Sequence, residues 1–150
     1  MDNLSKFLEK DKEAARQKLD YERWKREDWP SELEAWLNAI KEFYMLIASF
    51  VQDESTQGLL ICSTPPLLVC TDPTEYYTMY LTLTTPLGQR IIMEPWGYRI
   101  VGTRGSIRMT RENKKPHYTF HRDVTTLEWR LKDGLLTKEI FRDCLWELLK

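Results

Sequence analysis

Cysteine is scarce in this chain: Cys62, Cys70 and Cys144 are the only three in 150 residues, an odd number with no CxxC spacing. That speaks against a disulfide framework and a zinc knuckle. The three are read as buried reduced thiols, with Cys62 and Cys70 able to approach one another across a hairpin. Long apolar runs are missing too. The longest, YMLIASFV at residues 44–51, is too short to span a bilayer, and the opening MDNLSKFLEKDKE lacks the apolar core of a signal peptide. A soluble, cytoplasmic protein without a membrane partner is expected.

Catalytic signatures are equally lacking. No GxSxG elbow, Walker loop, HExxH or GxGxxG occurs. The two histidines, His117 and His121, have the HxxxH interval. On a strand, however, such side chains stand about 13 Å apart, too far to share one metal ion. Cys144 falls on the buried stripe of its helix, which argues against a nucleophile. Glu128, His117 and Thr119 share a face as an acid, a base and a hydroxyl, but nothing beyond that common face supports catalysis. The expectation is no enzyme, no cofactor and no metal.

What is present is ordinary globular material, 42% hydrophobic and 30% charged, which argues against disorder. At this length one domain covering residues 1–150 suffices, and it buries about two thirds of its unfolded surface. The formal charge of -1 conceals a polarised chain: residues 1–57 hold 9 basic and 13 acidic groups, residues 89–130 hold 9 basic and 4 acidic. That contrast favours oriented docking on charged partners but falls short of a dedicated nucleic-acid protein.

The helical part spans residues 1–51. Residues 3–27 read as a charged helix whose apolar positions, Leu4, Phe7, Leu8, Ala15 and Leu19, thin out along its length. Trp29-Pro30 breaks the chain, and Ser31 with Glu34 forms a capping box for a second helix. Leu33, Trp36, Leu37, Ile40, Phe43, Tyr44, Ile47, Phe50 and Val51 recur there at helical spacing, which marks the core helix. A C-terminal helix over residues 137–149 is capped by Thr137. It buries Ile140, Phe141, Cys144, Leu145, Leu148 and Leu149 and leaves Trp146 off the stripe.

Between the helices, residues 58–132 alternate short β-branched and aromatic runs with turn residues, the pattern of an antiparallel meander of six to eight strands. The fold class is therefore α+β, with the second and last helices on one face of the sheet. QDESTQG at residues 52–58 reads as a linker. Thr85-Pro86-Leu87-Gly88 and Glu94-Pro95-Trp96-Gly97 both suit type I turns, and Arg104-Gly105 suits a tighter hairpin.

A slip of one residue turns every side chain over, so strand registers can be tested against each other. Leu83 is expected opposite Ile91, Leu81 opposite Met93, Ile100 opposite Met109, Met109 opposite Tyr118 and Ile107 opposite Phe120. A tight turn near Asp123 would add Phe120 opposite Leu127 and Tyr118 opposite Trp129. Gly102 would let a helix approach the apolar face. The other face then carries Arg90, Glu94, Arg99, Arg108, His117, Thr119, His121, Glu128 and Arg130. Arg104, Lys114 and Lys115 sit on turns at its border.

Four arginines and two histidines on one face suit an anionic partner, because guanidinium forks match carboxylates and phosphates alike. Glu94 beside Arg99 and Glu128 beside Arg108 would partly neutralise it. With Tyr80 the one aromatic expected there, a protein partner ranks above RNA. A second candidate surface is acidic, through Asp11, Glu13, Asp20, Glu22, Glu27 and Asp28, and would suit a basic target. A homodimer through the first helix is a further arrangement. In outline, the meander followed by a helix bearing Trp146 resembles pleckstrin-homology domains. The two preceding helices and the missing lysine-rich first hairpin depart from that pattern, so no ligand residues carry over. In general character the chain resembles immunity proteins and phage-encoded inhibitors, which implies a protein-binding inhibitor. Nucleic-acid binding through the arginine face is the alternative.

Overall fold

The computed structural model describes residues 2–71, 73–98, 103–132 and 134–150. The chain forms two compact units, Met1–Ala35 and Trp36–Lys150. Among the described residues the helices are α1 (Asn3–Glu27), α2 (Trp29–Phe50), α3 (Gln52–Thr56) and α4 (Lys138–Leu149). The strands are β1 (Ile61–Ser63), β2 (Pro66–Val69), β3 (Tyr76–Met79), β4 (Leu81–Thr84), β5 (Arg90–Gly97), β6 (Thr103–Arg111), β7 (His117–Asp123), β8 (Trp129–Leu131) and β9 (Gly134–Leu135). No described helix is long and apolar enough to cross a membrane.

In the first unit, Asp2 caps α1 by accepting the Ser5 amide at 2.7 Å, and Lys25 and Arg26 lie in the last turn, where the helix dipole favours cations. No residue of α1 is buried. Rings gather towards its end: Tyr21 meets Trp24 at 6.0 Å, and Trp24 meets Trp29 at 5.5 Å. α2 starts ahead of the expected Ser31 cap. Pro30 lies in its first turn, where a missing N–H costs nothing because that group has no helical acceptor.

The second unit is α+β, as the alternation of helical and strand periods predicts. Seven strands pair antiparallel in the order β1-β4-β5-β6-β7-β8-β9, and β2 and β3 form a separate antiparallel pair. The YYTMYLTLTT run is split because the Tyr80 amide donates to Pro65 O at 3.0 Å. The expected linker at 52–58 is partly helical, as α3. Along α2, Trp36, Ile40, Phe43, Ile47 and Val51 are fully buried, as are Leu83, Ile91, Met93, Ile107, Met109 and Phe120 from the sheet. Phe43 touches Phe120 (5.5 Å between centroids) and Trp129 (4.5 Å), while Phe141 of α4 meets Phe50 and Phe120. The side chains of α2 and α4 thus cover one face of the sheet, and each fully buried large apolar group contributes about 1.5–3 kcal/mol. Thr137 caps α4 by accepting the Ile140 amide at 3.2 Å. Cys144 is buried and Cys62 half-buried, but Cys70 is exposed, contrary to expectation, because it follows β2 outside the main core.

Several registers stand as read: Leu81 opposite Met93, Leu83 opposite Ile91, Met109 opposite Tyr118 and Ile107 opposite Phe120. Thr85–Gly88 is a turn, closed by the Gly88 amide on Thr85 O, with Gly88 at φ +84°. Three other turn assignments fail. β5 runs through Pro95-Trp96-Gly97 and pairs directly with β6, so Met93 faces Met109. The register shifts between Pro95 and Gly97. A bulge there accommodates an interior-strand proline, which cannot donate to the ladder. Arg104-Gly105 is likewise no hairpin but lies within β6, at a second register shift between Thr103 and Ser106. After β7 the turn is four residues longer in pairing than expected, so Phe120 faces Leu131 and Arg122 faces Trp129. Asp123 organises it: its carboxylate accepts the Thr125 and Thr126 amides, and these bonds hold its pKa below the usual carboxylate range. The expected Ile100 pairing and the role of Gly102 lie outside the described residues.

Candidate binding face of the sheet

Pairing arranges the outer face in rows. Glu94 of β5 lies opposite Arg108 of β6, which lies opposite Thr119 of β7; the next row is Ile92, Thr110 and His117. On the far side of Arg108, Ser106 faces His121, and His121 faces Arg130 of β8. Arg90 stands at the start of β5, opposite Thr84. Two members of this face, Thr82 and Ser106, are buried rather than solvated, and the Thr82 hydroxyl bonds Ser63 at 2.5 Å.

The arginines of this face differ in their company. Arg90 is bound to Glu112 at 2.8 Å, and Arg130 has Asp123 at 3.7 Å and Glu128 at 3.9 Å. The Glu128–Arg108 pair inferred from sequence does not form, because the longer turn leaves Glu128 ahead of β8, whose pairing with β7 begins at Trp129. Arg108 has no carboxylate within 4.0 Å among the described residues. Its guanidinium carbon lies 4.3 Å from the centroid of the Trp96 ring, and one terminal nitrogen lies 3.4 Å from His117 Nδ1. Its Nε is buried and has no acceptor. Trp96 is 51% exposed, so one side of the indole braces the guanidinium while the residue remains open to solvent.

The remaining predicted residues form a border. His121 Nε2 lies 3.1 Å from Lys132 O. Lys114 and Lys115 are exposed on the loop after β6, where Asn113 takes a left-handed φ of +67°. Arg104 is exposed, and its carbonyl accepts Arg122 Nε at 2.8 Å. Arg99 lies outside the described residues. No group of three or more potential metal-ligating side chains occurs among those described.

No family model, curated protein or solved structure matches this chain. Its function has to be read from side chains.

The acidic candidates fare differently. Asp11, Glu13, Asp20, Glu22, Glu27 and Asp28 all lie along or just after α1. At 3.6 residues per turn, Glu13, Asp20 and Glu27 fall on the side opposite Asp11 and Glu22. Arg16 bonds Glu13, which lowers the Glu13 pKa, and lies 3.5 Å from Asp20; Arg26 lies 3.6 Å from Glu27. Residues 2–28 hold 8 acidic and 8 basic groups, so the helix with its two capping aspartates has no net negative charge to offer a basic target.

Two residues of consequence escaped the sequence reading. Trp96 is expected on a turn, whereas β5 continues through it and alternation sets it after Ile92 and Glu94 on the arginine face. Arg122 is 7% exposed and lies 5.5 Å from the Trp36 ring centroid. Its signal was available: if His117, Thr119 and His121 point outward, Arg122 must point inward with Phe120.

Proposed function

We propose that this protein is a non-catalytic, cytoplasmic protein-binding module that uses the outer face of its sheet to hold an acidic surface of a partner. Stoichiometric inhibition of that partner, as immunity and phage-type inhibitors practise it, is the mode of action this reading favours. One observation carries it: Arg108 is braced by Trp96 yet forms no ion pair with a carboxylate among the described residues. Exposed tryptophan and arginine side by side are the residue types that dominate protein interfaces, and a pre-oriented guanidinium loses little freedom on binding. Lys114, Lys115 and Arg104 extend the positive border, whereas residues 2–28 carry no net charge.

The test is capture of partners from the native host, followed by hydrogen-exchange footprinting of the purified complex. Protection of β5, β6 and β7, with binding lost in Arg108→Glu, is the expected result. Protection confined to α1 would remove the sheet from consideration.

Trp96 also favours a second reading, since an exposed indole beside arginines can stack on a base. Nucleic-acid binding predicts affinity that falls steeply with added salt. No binding to RNA or DNA at low ionic strength would dispose of it.

A further inference from the structure

Resting on the protein-binding reading above, the geometry points to a defined subsite: Arg108, Trp96 and His117 receive one carboxylate, an aspartate or glutamate side chain of the partner. The neighbouring arginines set the contrast. Arg90 and Arg130 are each supplied with acids from this chain, at 2.8 Å and at 3.7 and 3.9 Å. Arg108 has none within 4.0 Å among the described residues, although Glu94 occupies the position directly across the ladder.

The guanidinium is also partly withdrawn from water. Its Nε is buried with no acceptor among the described residues, and its central carbon lies 4.3 Å from the centroid of the Trp96 ring. A half-buried charge left unpaired is costly, and a charge-assisted bond at the terminal nitrogens would offset that cost. Cation–π contact holds the fork in place before any ligand arrives, so little ordering remains for the binding step. The His117 Nδ1 at 3.4 Å from a terminal nitrogen adds a second polar group on the same edge.

The surroundings favour a carboxylate over a phosphate chain. Glu94, Glu112, Asp123 and Glu128 are interspersed among the arginines of this sheet, and successive phosphates would meet them repeatedly. A single carboxylate at Arg108 faces one of these acids, Glu94, across the ladder. Lys114 and Lys115, the natural phosphate contacts, lie on the loop beyond the end of β6, about 10 Å or more along the strand.

The full-length chain, isotopically labelled, can be titrated with tetraglutamate peptide and separately with a twelve-nucleotide oligouridylate. The readouts are the Arg108 Nε–H and Trp96 indole N–H resonances. Saturable movement of both with tetraglutamate is expected, and the Trp96 signal should show affinity weakened at least about tenfold in Arg108→Gln and not restored by Arg108→Lys, which offers a point charge rather than a fork. Backbone resonances of each variant report whether the fold is intact. Glu94→Gln provides an independent arm: removing the like charge across the ladder should tighten the peptide. Overturning results would be no response at millimolar peptide, a response confined to the Lys114–Lys115 loop, or tighter oligouridylate binding at Arg108. The first two would leave a protein partner on this face standing, because footprinting of the captured complex reads that separately. The third would transfer the site to a phosphate backbone.

Discussion

Gly105 and Trp36 occupy complementary space: a Cβ built on Gly105 would stand 2.2 Å from Cζ3 of the Trp36 ring. The ring is fully buried, touches Tyr98 and Trp129, and donates its indole N–H to the Tyr76 hydroxyl at 3.0 Å. Gly105 also has φ +113°, which side chains disfavour. Gly105→Ala should therefore destabilise by about 3 kcal/mol, from overpacking and backbone strain together. Urea unfolding checks it. In the Trp36→Leu background the same substitution should cost less, because only the backbone part remains.

Arg122 lies on the core face, with its Nε donating to Arg104 O and its guanidinium carbon 5.5 Å from the Trp36 ring centroid. Burial moves its pKa down, yet it remains charged at neutral pH. Arg122→Ala removes the packing of a long stem and leaves a carbonyl without its donor, for an expected loss of about 2–3 kcal/mol. Arg122→Met keeps the stem and should lose less. Equal losses in chemical denaturation would show that the stem does not matter.

Tyr44 places its hydroxyl 3.0 Å from Met79 O and 3.1 Å from Met93 O, and burial pushes its pKa well above the ordinary value of 10.0. The folded state holds this phenol proton more tightly than the unfolded chain does. Its contribution is thus complete below about pH 10 and is lost as pH rises beyond that value. Tyr44→Phe should flatten the alkaline decline in melting temperature while costing about 1 kcal/mol at neutral pH. A decline of unchanged steepness would assign it elsewhere, with Tyr76, also raised by burial, the next group to replace.

Thr137 accepts the Ile140 amide at the start of α4, the helix that brings Phe141, Cys144, Leu145 and Leu148 into the core. Thr137→Ala should cost about 1 kcal/mol by thermal or urea unfolding, and Thr137→Ser should recover most of it.

The side-chain phase of the strands was legible because apolar and polar residues alternate strongly along them. Ile107 and Met109 are fully buried, while Arg108 between them is not. Even the misjudged turn after β7 left the faces correct: the pairing moved by four residues, an even number, so Phe120 still faces an inward position, now Leu131. Turn chemistry was less readable. Pro95-Trp96-Gly97 and Arg104-Gly105 carry the residues of hairpin turns, yet both sit in continuous strands at register shifts. Proline and glycine serve turns and bulges alike, and their local preferences do not separate the two.

By itself the sequence determined the α+β class, the apolar stripes of α2 and α4, and the face on which Arg108 and His117 project, because periodicity and burial are local properties of the chain. Only tertiary structure decided which arginines are neutralised. Glu112 reaches Arg90 and Asp123 reaches Arg130 across pairings that depend on loop length, and β5, continuing through Pro95, carries Trp96 to Arg108. Those contacts join residues distant in sequence. Their partners are set by backbone register, which side-chain alternation constrains only to within an even number of residues.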